Sequence, residues 1–482
     1  MNRTKRGAPA RELRRAVAHR FGAGRHGPPP AWPAAFLIAL LVAGCSGTPT
    51  RTERAAREAI RSVGEAYRPG DARPTLPTLT ATSPLVDHLR FAMLNSPQVE
   101  AAYYDWAAAV ERITPARSLP DPRLTFEADV ADTVMSLMPG LMVEIPGPGK
   151  LRAAGDVMAA EGDVAYFRFE REVLTAALAV KTAYYRLHFL EETIRVRRRT
   201  LELVANLQTL AEQQNAAGRV TLQDVLRAQI AREQLATAIE NLEDSRATLA
   251  AQWKAALGLG PSDANPPLPA AFESSTGDPR PEEVLKAALA RNPSLREMES
   301  EIRRAEASLR LARRGGVPDF SLGIEADLDS NPTVWTPSAG VTLPVWRDRI
   351  AAEIAAARAG KRAAEARLSA ESVRLAADLA SMLYAYREAE RNRALLDATL
   401  VPKAAQSLEA ARAGYVSGRA GFLDVIDAQR SLLEFELQSI EAKTQRELAL
   451  ALLSLTIAGT PPEGAPTRGR ARRAGREKER QP

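Results

Sequence analysis

Apolar residues recur along this chain with two different periods, and each predicts its own element. Between Lys150 and Asn215 the only helix-weakening residues are Gly155 and Gly162. Within that span Val173, Val180, Leu187, Ile194 and Leu201 recur every seventh residue, the spacing that keeps one seam of a long helix apolar. A helix of ~65 residues is about 100 Å long at 1.5 Å per residue. A period of two replaces the helical pattern at Leu124–Val130, Leu137–Ile145, Phe320–Leu328 and Val334–Leu343. There Leu124-Phe126 and Phe320-Leu322-Ile324 alternate with polar neighbours, which predicts strands with one apolar face.

The same order of elements occurs twice. Pro97 and Pro293 open the two units, and Pro122 is matched by Pro318, both 196 residues apart. Glu127-Ala128-Asp129 returns as Glu325-Ala326-Asp327, and Pro146 as Pro344, both 198 apart. Gly218-Arg219, Asp224-Val225, Ala228 and Gln229 return as Gly418-Arg419, Asp424-Val425, Ala428 and Gln429, 200 apart. Markers that keep their order with so little drift indicate a duplication. The reading divides the chain into a leader (1–44), an extended segment (45–83), repeat 1 (84–257), a Pro/Gly-rich linker (258–282), repeat 2 (283–459) and a disordered basic tail (460–482).

Each repeat reads as helix, two strands, long helix, helix. In repeat 1 the first helix runs from Pro84, capped by Ser83, to about Leu119. The long helix is followed by one from Leu222 to Leu257. In repeat 2 a helix precedes Gly315-Gly316, a long one spans Arg349–Tyr415 with a kink expected at Pro402, and a last one spans Leu423–Ile457. The fold class is mainly α with a small β part. Four strands are too few to close a barrel, which needs at least 8, so they either pack on the helices or join those of other copies. Three copies would supply twelve.

Composition changes the picture chiefly through charge. The 482 residues carry a net charge of +6. Residues 1–44 hold eight basic residues against Glu12, and 468–482 hold seven against two acids, so the stretch between them is net acidic by six. A nucleic-acid-binding body is therefore not expected. The single cysteine excludes a disulfide framework. Mean hydropathy is −0.23, and the apolar run Ala34–Gly44 is only 11 residues, the length of a signal peptide core rather than a membrane helix. It ends at Val42-Ala43-Gly44-Cys45, which resembles a bacterial lipobox with Cys45 as the lipidated residue. An ordinary cleavage site with an incidental cysteine is the alternative. The remaining chain carries no zinc-protease, nucleophile-elbow, P-loop or dinucleotide motif. No enzyme, cofactor or metal site is expected.

Taken together, the doubled helix–strand–strand–long-helix–helix unit, the Asn95-Ser96-Pro97 and Asn292-Pro293-Ser294 openings, and the run from Tyr415 to Gln429 (YVSGRAGFLDVIDAQ) resemble the TolC family of outer-membrane efflux ducts. The segment Ile145–Arg152 (IPGPGKLR) is most similar to members paired with heavy-metal or cation exporters. The resemblance implies a homotrimer with a 12-stranded outer-membrane barrel that continues into a 12-helix periplasmic tunnel. It would conduct passively what an inner-membrane pump (RND or ABC class) and a periplasmic adaptor deliver, in a tripartite efflux or type I secretion system. By the same resemblance, Gly218, Arg219, Val220, Thr221 and Leu222, with Gly418, Arg419, Ala420, Gly421 and Phe422, form the adaptor-contacting tip. Asp424, Asp427, Asp224, Tyr415 and Lys443 match the periplasmic gate.

For the acidic residues helix capping is the plainer explanation, since Asp424 and Asp427 fall in a first helical turn, three apart. Tyr184 and Tyr384 read as helix-packing residues. A periplasmic coiled-coil lipoprotein without a transport role is the rival reading, and the apolar faces of the strands discriminate between the two.

Overall fold

The computed structural model describes residues 49–130, 134–275 and 277–468. Two expectations, the leader with Cys45 and most of the basic tail, lie outside these residues. The first helix, α1 (Arg51–Tyr67), falls where the sequence reading placed an extended segment. Thr50 caps it by accepting from the Glu53 N–H at 3.1 Å. Its helical stripe is weakly apolar and arginine-rich, so the packing surface that holds it (Ala56, Val63, Tyr67) is hard to see in isolation.

Repeat 1 then begins with three helices where one was expected: α2 (Leu85–Asn95), α3 (Pro97–Glu111) and α4 (Ile113–Arg117). Ser96 precedes proline and is driven into the extended region (ψ 124°), which breaks the helix. It then caps α3 by accepting from Val99 N–H. Ser83 does not cap α2; its hydroxyl accepts from Thr80 N–H. Pro84 stands at the cap position, and the Leu85 N–H donates instead to Glu273 Oε1 in the distant linker at 2.8 Å.

Strands β1 (Arg123–Val130) and β2 (Val134–Ile145) lead through Gly147-Pro148-Gly149 into α5 (Lys150–Ala216). This 67-residue helix is continuous. Its heptad residues Val173, Val180, Leu187 and Ile194 are buried, and beyond them the seam moves to Thr200, Val204, Leu207 and Ala211. It packs against the three helices before it, against α6 (Leu222–Ala256), and against repeat 2. Repeat 2 consists of α7 (Pro281–Arg291), α8 (Pro293–Arg314), β3 (Asp319–Asp327), β4 (Val334–Thr342), α9 (Arg347–Leu395), α10 (Val401–Val416) and α11 (Phe422–Ala451). Between α9 and α10 the helix does not stop. A π turn at Leu396–Leu400 carries the Val401 N–H to Leu396 O and widens the coil just before Pro402, whose ring would otherwise meet a carbonyl four residues back.

One interaction closes each repeat in the same way. The Asn95 carboxamide donates to the carbonyls of Leu257 and Gly258, and that of Asn292 to those of Thr456 and Ile457, all at 2.9–3.1 Å. The glycines facing them, Gly258 (φ 72°) and Gly459 (φ 59°), are left-handed, and a Cβ on either would lie 2.8–2.9 Å from the opposing chain. The linker is not a loose tether. Tyr184, fully buried, donates its hydroxyl to Ala271 O at 2.6 Å and accepts from Glu273 N–H at 3.2 Å. The end of the chain also packs: Ala465, Pro466 and Thr467 are buried, and Arg468 N–H donates to Tyr166 Oη at 3.0 Å. Residues 460–468 are thus ordered against the aromatic core, where disorder was expected. That core is an edge-to-face cluster of Tyr67, Tyr103, Trp106, Tyr166 and Phe169.

Beside it lies Glu53, fully buried. Burial would raise its pKa, but Arg117, Thr114 and Arg57 together hold it at about 2.

Candidate functional site: the sheet and the double turn

The four strands form one antiparallel sheet in the order β1-β2-β3-β4. The two hairpins, one from each repeat, join through β2 and β3, with Ile145 opposite Phe320 and Gly140 opposite Glu325. Pairing register sets the faces. Leu124 lies opposite Leu141, Leu141 opposite Ile324, Val143 opposite Leu322, and Phe320 opposite Val341, so these side chains share one face. On that face Leu124, Phe126, Leu141, Phe320, Leu322, Ile324 and Val341 are all exposed. The other face carries Thr125, Glu144, Ser321, Glu325 and Ser338. Apolar outside and polar inside is the pattern of a membrane-crossing barrel wall. Among the described residues no strand pairs with the outer edge of β1 or of β4. Trp335 and Trp346, which the sequence reading passed over, bracket β4 and are 62% and 72% exposed. Their signal was available: isolated tryptophans at both ends of one alternating stretch, as at a membrane interface.

Where strands meet helices the repeats are pinned to each other. Asp319 Oδ1 accepts from the Gly147 N–H and from Lys150 Nζ, each at 2.7 Å. Gly147 passes so close to Pro318 that a Cβ would lie 2.3 Å from its carbonyl oxygen.

At the far end of the long helices two turns of equal construction stand side by side. Gly218 (φ 70°) and Gly418 (φ 73°) end α5 and α10, with open space where a Cβ would be. Each turn folds back through the next arginine, Arg219 N–H to Gln214 O and Arg419 N–H to Gly414 O, both at 2.8 Å. The left-handed backbone accounts for both glycines. Asp224 and Asp424 reach back to the start of the next helix, taking the Thr221 N–H at 3.2 Å and the Gly421 N–H at 2.8 Å. Both therefore act as caps. Asp224 also faces Arg227 at 3.5 Å. Asp427 is exposed, and its carboxylate pairs with nothing among the described residues.

An apolar cluster fuses the two turns: Leu207, Ala211, Val225 and Ala228 from repeat 1 with Leu408, Tyr415, Phe422 and Ile426 from repeat 2. Tyr415 packs on Phe422 at 5.6 Å, and its buried hydroxyl has no hydrogen-bond partner among the described residues. Burial raises its pKa, and the facing Asp224 raises it further. Of the sequence-derived tip residues, Arg219, Thr221, Leu222, Arg419 and Gly421 are exposed, while Phe422 lies inside the cluster. Lys443 is elsewhere, 19 residues from Asp424 and so about 28 Å along α11. It pairs with Asp397 in the π turn at 3.2 Å. The structure thus brings Asp224, Tyr415 and the two glycine turns together and leaves Lys443 outside the group.

The sequence matches the outer membrane efflux protein family over residues 89–259 and 284–459, one stretch for each repeat. The chain belongs to that family. Among its members, the cobalt-zinc-cadmium resistance protein CzcC of Cupriavidus metallidurans is 25% identical over 67% of this chain and 77% of its own length. The pyoverdine export outer membrane protein OpmQ of Pseudomonas putida is also 25% identical, over 67% of this chain and 70% of its own. The fold is that of solved outer-membrane efflux channels. CusC superposes with a TM-score of 0.69 at 15% identity, over 80% of this chain and 94% of that one. VceC of Vibrio cholerae gives 0.66 at 19% identity, over 79% and 97%. The boundaries of the family match fall at the closing interactions of the two repeats, before Asn95 and Asn292 and just after Gly258 and at Gly459.

Proposed function

We propose that this outer-membrane efflux protein works as a trimeric channel-tunnel. Each chain contributes four strands to a 12-stranded barrel and its long helices to a periplasmic conduit, held to the membrane by a lipidated Cys45. The observation that carries the reading is the sheet, one face apolar and exposed with two free edges. Such a surface needs lipid on the face and further strands on the edges. A purely periplasmic coiled coil would have no use for it. The chain conducts passively: an inner-membrane pump and a periplasmic adaptor supply cargo and energy, and the adaptor meets the two turns, where Arg219, Thr221, Leu222, Arg419 and Gly421 are exposed. The relation to a cobalt-zinc-cadmium resistance protein and the Ile145–Arg152 segment favour a metal cation as cargo and an RND-type pump.

In a threefold arrangement the free Asp427 carboxylates would gather near one axis, with Asp424 in a capping role beside them, and attract cations at the entrance. The test is threefold-specific. Full-length protein from outer-membrane fractions should run as a heat-sensitive trimer and open conductances in planar bilayers. Asp427→Ala should reduce cation selectivity more than Asp424→Ala, which should chiefly loosen the turn. A monomer extracted without detergent would refute the channel, and unchanged selectivity in Asp427→Ala would refute the gate.

A further inference from the structure

About 12 Å along α11 from the Gly421 turn, at 1.5 Å per residue, a cavity of about 210 Å3 opens between α5, α6 and α11. Its polar lining comes from Arg197 and Thr200 of α5, Gln234 of α6, and Gln429 and Arg430 of α11. No carboxylate lines it. Arg197 and Arg430 form no ion pair among the described residues, although most arginines on these helices do, including Arg198, Arg199 and Arg246. Gln429 is 4% exposed and Thr200 likewise, so both are closed off from bulk solvent. Two polar atoms remain unpaired at this place, Arg197 Nε and Gln429 Oε1, while Gln429 Nε2 makes only a long 3.4 Å bond to Thr200 Oγ1.

We infer that this cavity is a binding site for a small inorganic oxyanion. Two uncompensated guanidiniums in a recess without acids create a positive potential, and a guanidinium matches the geometry of an oxyanion. An unpaired buried Nε–H asks for an acceptor. The carboxamide of Gln429 is interchangeable end for end. Turned over, it directs its NH2 into the cavity and accepts the Thr200 hydroxyl, which satisfies both residues and supplies a third donor. The volume is about seven times the 30 Å3 share of one water, room for phosphate with some of its hydration. Gln429 is the counterpart of Gln229, but the residue 200 positions after Arg197 is Asp397, an acid, so the duplication does not repeat this arginine. Bound anion would tie α11 to α5 and α6 just above the double turn and hold that end of the helices in the arrangement described here. The site lies within one chain and stands or falls independently of the channel reading.

The experiment uses the full-length protein in detergent at pH 7.5, with inorganic phosphate as probe and gluconate at matched ionic strength as reference. Phosphate should raise the melting temperature saturably by about 2 °C. Arg197→Gln should abolish the rise. Arg430→Gln, at an exposed position where folding is not at stake, should weaken the apparent affinity about fivefold or more, as loss of one charge-assisted bond does. Arg387→Gln, at an exposed arginine of α9 with no ion pair among the described residues, should leave it unchanged. Equal responses to phosphate and gluconate in the wild type would overturn the inference. So would an identical phosphate response in Arg430→Gln and the wild type. Failure of Arg197→Gln to assemble, with no phosphate response in the wild type, would assign the guanidinium to a carboxylate of a second copy and also overturn it.

Discussion

The two repeats share one order of elements and one closing lock, yet they do different physical work. The long helix of repeat 1 is unbroken and buried along its length, carrying Tyr166, Phe169, Val173, Tyr184 and Leu187 into a core built with α1 to α4. Its counterpart, α9 and α10 joined by a π turn, buries only Ala364, Leu375, Leu379, Leu383, Tyr386 and Ala389 across the 49 residues of α9. Tyr184 is fully buried and pins the linker, whereas Tyr384 is 60% exposed and, among the described residues, bonds to Glu388 four residues on. At the turns the asymmetry reverses. Phe422 and Ile426 enter the shared cluster, while their repeat 1 equivalents Leu222 and Leu226, with Ile230 one turn further, form an exposed apolar stripe on α6. Duplication has preserved the backbone while the side chains divide the labour: each copy keeps one face for the chain's own core and leaves another for something outside it.

The largest effect that would sharpen this comparison is in the aromatic core. Trp106→Ala should cost about 3–5 kcal/mol, because the ring is fully buried between Tyr103, Tyr166 and Phe169. Tyr384→Ala should cost under about 0.5 kcal/mol. Chemical denaturation of both variants checks the contrast, and equal costs would break it. Glycine substitutions come next. Gly258→Ala and Gly459→Ala should each cost about 2–4 kcal/mol through left-handed strain plus a clash with opposing backbone, whereas Gly218→Ala and Gly418→Ala, in open space, should cost only about 1–2 kcal/mol. Melting temperatures should rank the four in that order, in matched pairs across the repeats.

A smaller effect depends on pH and occurs in repeat 1. Burial raises the pKa of the Glu170 carboxyl from an ordinary 4.5 to about 7, even though Arg468, Tyr166 and Arg296 act to lower it. The folded pKa lies above the unfolded one, so the protonated form's advantage is complete below pH 4.5 and is lost as pH rises through 7. Glu170→Gln should therefore stabilise the protein at pH 8 by about 1–3 kcal/mol. The gain should vanish below pH 4.5 when thermal unfolding is followed across that range. A further contrast lies in the two closing locks. Asn95→Ala removes two bonds to the end of its repeat's last helix and should cost about 1–2 kcal/mol. Asn292→Ala removes the same two and also the cap of α8, where its Oδ1 accepts from the Ser294 and Leu295 N–H groups, so it should cost about 1 kcal/mol more. Equal costs in chemical denaturation would show that the cap adds nothing.

Much of this was legible beforehand. Observed boundaries for β1, β2, α5 and β4 fall within a few residues of those read from period and punctuation, because a 3.5-residue seam and a two-residue alternation are local properties of the chain. The glycine turns and their capping aspartates were legible for the same reason. Other features were not, beside the division of the first helix at Ser96 and the missing Ser83 cap. Helix α1 was missed because its stability comes from Glu53 meeting Arg117 and Thr114 more than 60 residues away. The packing of residues 460–468 depends on Tyr166 and Trp106, which supply aromatic faces for Arg468 at 3.8 and 5.2 Å. Lys443 matches the gate by resemblance, and only the structure shows that within the chain it pairs with Asp397, about 28 Å along α11 from Asp424.

Sequence alone determined the duplication, the length of the long helix α5, the strand faces and the net acidity between the two basic ends, since each follows from spacing and composition along one chain. Tertiary structure decided which copy of each repeated residue is buried, which carboxylate is a cap and which is free, and where two unpaired arginines open onto one cavity. Those outcomes depend on which helices become neighbours, and side chains hundreds of residues apart settle that by competing for the same buried volume.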